Sequence, residues 1–123
     1  MAGKIIADTI EHSSAGSVDT TYVVDGSAKS WTNFNGVGTV AIRGSLNTSS
    51  MTDNNTGNYN FNFTNSFTDT NYLPVNRTHG FGDTPSTYQS EMTTSSRRID
   101  YYNQNTVKTD RDSAGGVHYG DLA

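Results

Sequence analysis

TGNYNFNFT, Thr56 to Thr64, is an alternating stretch with one possible geometry. Tyr59, Phe61 and Phe63 take turns with Asn60, Asn62 and Thr64, a period of two that gives a β-strand one aromatic and one polar face. The polar run Asp53 to Gly57 before it reads as a loop. Gly38 to Arg43 repeats the pattern, with Val40 and Ile42 on one side and Thr39, Ala41 and Arg43 on the other. Thr21 to Val24 reads as a strand closed by an Asp25-Gly26 turn, and Asn71 to Val75 as a shorter one stopped near Pro74. Thr78 to Tyr88, with Gly80, Gly82 and Pro85, reads as a loop. Arg97 to Asn103 places Ile99 and Tyr101 on one strand face, and Val117 and Tyr119 suit a last strand after a Gly115-Gly116 turn. The expected fold is all-β, a small antiparallel β-sandwich or flattened barrel of about seven strands.

Composition agrees. Thr (18), Ser (14) and Asn (13) exceed a third of the 123 residues, and these side chains favour solvated strand faces and turns over helices. Leu, Ile, Val and Phe total only 21, so the core is lean; seven Tyr, five Phe and one Trp must supply bulk. A net charge of −4 with no basic patch argues against nucleic acid as a partner. The chain has no cysteine, which excludes thiol chemistry and disulfides and fits synthesis in a reducing cytoplasm. No signal peptide or bilayer-spanning apolar run is read, so membrane insertion is not expected.

Motifs for chemistry fail on spacing. Gly36-Val37-Gly38-Thr39-Val40-Ala41 spells G-x-G-x-x-A, but the residues that follow form a strand, leaving no helix N-terminus for a pyrophosphate. Asp53 to Gly57 lacks the Gly and Glu positions of a calcium loop, and His12, His79 and His118 lack metal-ligand spacing. No G-x-S-x-G elbow occurs, and Glu11 and Glu91 do not pair as acid and base. The expectation is no catalytic residues, no cofactor and no metal, hence not an enzyme. Aromatic rings beside asparagines suit sugars, and Tyr88 and Tyr102 are the candidates for surface recognition; Tyr101 and Tyr102 must face opposite ways.

AKSWTNFNGVGTVAIRGSLNTSSMTDNNTGNYNFNFT, Ala28 to Thr64, resembles a recurrent module of tailed-bacteriophage structural proteins. That module has an AKAWVNFNG box, a GT-x-A-I-R strand, S-x-N-x-S-S, a T-D-N-x-T-G-x-Y turn and an alternating aromatic strand. GKIIADTIEHSSAG also resembles the N-terminal segment of phage fibre-like proteins, and TTSSRRIDYYNQ and VHYGDL resemble the module's closing strands. Arg77 to Gln89 matches nothing in it. The resemblance implies a virion protein made in the host cytoplasm: an exposed capsid decoration or head-fibre protein, or alternatively a tail-fibre or tail-tip component that binds a host surface glycan. Other virion proteins are the implied partners, and a homo-oligomer, a trimer first, is the implied assembly.

Within the box, Trp31 and Phe34 flank polar residues and are expected to enter the core together, while Asn35-Gly36 and Val37-Gly38 supply the positive dihedrals of a structural corner. Residues 1–19 read as an N-terminal arm and 20–123 as a single β domain. Ile5, Ile6 and Ile10 on that arm have little apolar company and are the expected attachment or oligomer contacts.

Overall fold

The computed structural model describes residues 3–79 and 84–123, except the side chains of 85–90. Its elements run β1 (Thr9–His12), β2 (Gly16–Asp19), α1 (Thr20–Gly26), β3 (Ser30–Asn35), β4 (Ala41–Leu46), β5 (Thr48–Asn55), β6 (Asn58–Phe63), β7 (Leu73–Thr78), β8 (Thr84–Met92), β9 (Ser96–Tyr102) and β10 (Ala114–Tyr119). β1 and β2 form their own hairpin. The rest make two four-stranded sheets, ordered β4-β3-β10-β7 and β5-β6-β9-β8, with every pair antiparallel.

Strand alternation determines what fills the space between them. Ser30, Thr32 and Phe34 of β3 and Ala114 and His118 of β10 point inward from one sheet. Tyr59, Phe61 and Phe63 of β6 and Arg97, Ile99 and Tyr101 of β9 point inward from the other. Phe34 meets Tyr59 and Phe61 edge-on, with ring centroids 5.1 and 5.9 Å apart, so the sheets interlock through aromatic rings. Phe67 stacks on Tyr72 at 4.3 Å and closes one end. The chain is a small antiparallel β-sandwich, and Tyr59, Phe61, Phe63, Ile99 and Tyr101 are buried as their alternation requires.

Several expectations are corrected. Thr21–Val24 is helical, within α1: Asp19 caps it by accepting from the Thr21 amide at 2.8 Å, and no neighbouring strand offers a ladder. The sandwich therefore starts at Ser30, not near Thr20, and among the described residues it holds eight strands. β5 runs on to Asn55, so only Thr56-Gly57 turns, with Gly57 at φ 66°. Residues 84–88, expected in a loop, belong to β8; residues 80–83 of that loop lie outside the described residues. Gly115-Gly116 sits within β10 rather than ahead of it, and His118 takes the inward place while Val117 and Tyr119 face out.

Trp31 does not share the core with Phe34. Three positions apart on one strand, the two fall on opposite faces; the indole is 40% exposed and lies over Gly44 of β4. After Gly38 the chain enters β4, so no helix N-terminus follows the glycines. Gly38 has φ 69°, as the corner requires, but Gly36 is not among the positive-φ glycines. It serves by lacking a side chain, since a Cβ there would stand 2.5 Å from the Tyr59 hydroxyl oxygen. Asn35 steadies the corner by accepting from the Val37 amide and donating to its carbonyl.

Phe34→Ala is expected to cost about 3–5 kcal/mol, as for a buried ring, and Trp31→Ala less than half of that. Urea denaturation of the two variants beside the parent chain measures both. An equal loss for Trp31→Ala would place the indole in the core.

Candidate interaction surfaces

The most chemically unusual side chains are sealed inside. Arg97 follows the parity of Ile99 and Tyr101, so its guanidinium enters the sandwich, 4.7 Å over the Phe61 ring, and donates to Asn76 Oδ1 at 2.7 Å. Burial lowers its pKa to about 10. His118 is ringed by Phe61, Phe63, Phe67 and Tyr72, with centroids 5.0 to 6.4 Å away. Among the described residues neither of its ring nitrogens makes a well-formed hydrogen bond, and the Ser30 backbone is its one hydrogen-bonding neighbour of consequence. Burial, and then the Arg97 charge, push its pKa down to about 3, which the Ser30 backbone offsets only in part. Both groups are closed to solvent and cannot meet a ligand.

Tyrosine hydroxyls anchor the core rings. Tyr59 donates to Asp110 Oδ1 at 2.6 Å and to the Gly36 carbonyl at 3.0 Å, and burial followed by the Asp110 hydrogen bond raises its pKa strongly. Tyr72 is pushed up to about 12, chiefly by burial.

The outer face of the β5-β6-β9-β8 sheet is polar. Asn62 donates to Ser50 and Thr52, and Asn54 donates to Asn58 and Asn60. Asp100, wholly buried, is bound by Lys108 at 2.6 Å, the Tyr102 hydroxyl at 3.1 Å and Asn58. Tyr102, a recognition candidate, is thus half-buried with its hydroxyl committed to a carboxylate. The side chain of Tyr88 lies outside the described residues.

The outer face of the β4-β3-β10-β7 sheet is apolar. Register aligns Leu46, Trp31, Val117 and Val75 in one row across four strands, and Leu73 and Tyr119 pair in the next. Val75 is 53% and Leu73 64% exposed. Gly115 holds an outward position and presents no side chain, and a groove of about 260 Å³ opens there between Trp31 and Asn33 on one side and Val75 and Arg77 on the other. Nothing in the single sequence pointed to this row, since only strand register brings its members together.

The arm is a third surface. Ile5 and Ile6 are 94% and 84% exposed, and Ile10 is half exposed beside Val23 and Val24 of α1. The structure gathers the three expected isoleucines on one feature, and α1 adds two valines that the strand reading of Thr21–Val24 had assigned elsewhere. Trp31 joins the apolar sheet face, while Phe34, Asn35, Gly36 and Gly38 stay together at the β3–β4 corner. Among the described residues no group of three or more His, Asp or Glu could hold a metal ion, and no helix is long and apolar enough to cross a membrane. No protein-family model matches the chain, and no curated protein or solved structure is detectably similar to it.

His118 makes stability depend on pH. Its folded pKa lies below the unfolded value of about 6.5, so between 6.5 and about 3 only the unfolded chain binds the proton, and stability falls as pH drops through that window. From pH 7.5 to 5.5 the loss from this residue is expected to be about 1.4 kcal/mol. Denaturation of the parent and of His118→Phe at both pH values checks it. The variant should show that much less pH dependence; identical dependence in both would contradict the buried neutral imidazole.

Proposed function

We propose that this chain is a structural protein of a tailed-bacteriophage virion, displayed on the particle as a capsid decoration or head-fibre protein. The observation that carries this reading is the resemblance of Ala28 to Thr64 to a phage module, now seen to span β3 to β6. That segment is one continuous half of the sandwich, contributing two adjacent strands to each sheet, so the resemblance covers a structural unit. The remainder is consistent with a display role. Its chemistry is buried, its rings are tied down by hydrogen bonds, and an apolar arm stands free of a stable body.

The alternative, a tail component that binds a host glycan, draws on the polar outer sheet face. Asn54, Asn60 and Asn62 offer planar amides near Arg98 and Tyr102, groups that match sugar hydroxyls. The two readings separate cleanly. A decoration protein binds purified undecorated capsids with a saturable stoichiometry, whereas a receptor binder labels host cells and competes with the phage for adsorption.

On the favoured reading attachment needs the arm, which packs on another subunit of the decorating assembly or on the shell beneath it. Deleting Met1 to Ser14 is expected to leave the sandwich folded, because its strands begin at Ser30, yet to abolish co-sedimentation with capsids. Full capsid binding by the folded truncation would remove the arm from the attachment.

A further inference from the structure

The chain carries two unpartnered apolar features that do not cover one another, and they are opposite in charge. The segment of residues 3–28 presents Ile5, Ile6, Ile10, Val23 and Val24, and it holds one lysine against four carboxylates: Lys4 with Asp8, Glu11, Asp19 and Asp25. The outer face of the β4-β3-β10-β7 sheet presents the row Leu46, Trp31, Val117 and Val75 with its glycine-floored groove. Those four strands contain Arg43 and Arg77 and no carboxylate. Arg77 lines the groove.

We propose that the arm of one copy docks on this sheet face of a second copy, its isoleucines entering the groove above Gly115. The pairing buries apolar groups that water otherwise contacts on both partners, and it sets the acidic arm beside Arg77. Groove and arm differ in kind. The groove has no side chain at Gly115 to obstruct a branched aliphatic group, and the arm's Lys4–Ala7 stretch, outside any helix or strand, carries adjacent isoleucines with no sheet of its own to cover them. Since donor and acceptor surfaces lie on different parts of one chain, every copy can both give an arm and receive one: two copies exchange arms about a two-fold axis, or more copies close a ring where the rotation permits. The inference stands whatever particle carries the chain.

The absence of native cysteine permits a direct test. Ile6→Cys and Val75→Cys proteins are mixed and oxidised, beside a control mixture of Ile6→Cys with Ser50→Cys, whose site lies on the opposite sheet's outer face. The first mixture is expected to yield the disulfide-linked heterodimer in large excess over the control. Light scattering of the unmodified chain should show a mass of several subunits, reduced to one by Val75→Asp with an unchanged circular-dichroism spectrum. Arg77→Glu should weaken the assembly several-fold at low salt and less at high salt.

Equal yields from the two mixtures, or Ile6→Cys homodimers in preference to either, would overturn the proposal. So would a single-chain mass for the parent at every concentration. An Ile6→Cys/Val75→Cys double variant that closes only within one chain would show the arm folding back on its own sheet, also against it.

Discussion

The two sheets are held apart and together by aromatic rings, and most other features of the molecule follow from that. Among the described residues, Ile99 is the one branched aliphatic side chain in the buried cluster, with Met92 and Ala114 as the other non-aromatic members. Phe34, Tyr59, Phe61, Phe63, Phe67, Tyr72 and Tyr101 fill the remainder. A core of rings packs by edge-to-face contact, which fixes relative orientation more tightly than aliphatic packing does. It also brings phenol oxygens inside, and each needs a partner. Tyr59 reaches Asp110 and Gly36, Tyr101 the Gly115 carbonyl, and Tyr72 the carbonyls of Thr93 and Ser96. The Tyr59 and Tyr72 hydroxyls thereby tie the sandwich interior to loops, and the Tyr101 hydroxyl ties one sheet to the other.

Glycine is the other side of the same arrangement. Where a large ring or a guanidinium presses on a neighbouring strand, the neighbour has no side chain. Gly36 yields to the Tyr59 hydroxyl, and Gly116 to Arg97, whose Nη2 would be 2.9 Å from a Cβ there. Gly120 yields to Tyr72 at 2.7 Å in the same way. In β10 the neighbouring Gly115 takes the opposite parity, and its missing side chain leaves the groove on the outer face.

Sequence alternation revealed β6 and β9 because their inward residues are all bulky and their period is uninterrupted. It misled where bulk and parity disagree. Val117 and Tyr119 look like core and His118 does not, yet register with Trp31 and Val75 puts Val117 outside and the imidazole within. The same parity, followed from Ile99 and Tyr101, carries Arg97 inward, but a charge there runs against the usual preference and the sequence reading placed only Ile99 and Tyr101 on that face. α1 was hidden by β-branched residues; its helicity rests on the Asp19 cap and on having no strand to pair with, and only the second is a property of the fold. The isoleucines of the arm were legible as unpartnered, whereas the apolar sheet face depends on side chains from four separate strands.

The sandwich completes its own aromatic core, whereas the arm needs a second surface. Hydrogen exchange followed by mass spectrometry, on dilute and on concentrated protein, tests it most directly. The account predicts that β6 and β9 amides are strongly protected at both concentrations, while residues 3–26 exchange fast when dilute and gain protection when concentrated. Protection of the arm equal to that of β6 in dilute protein, unchanged on concentration, would contradict it.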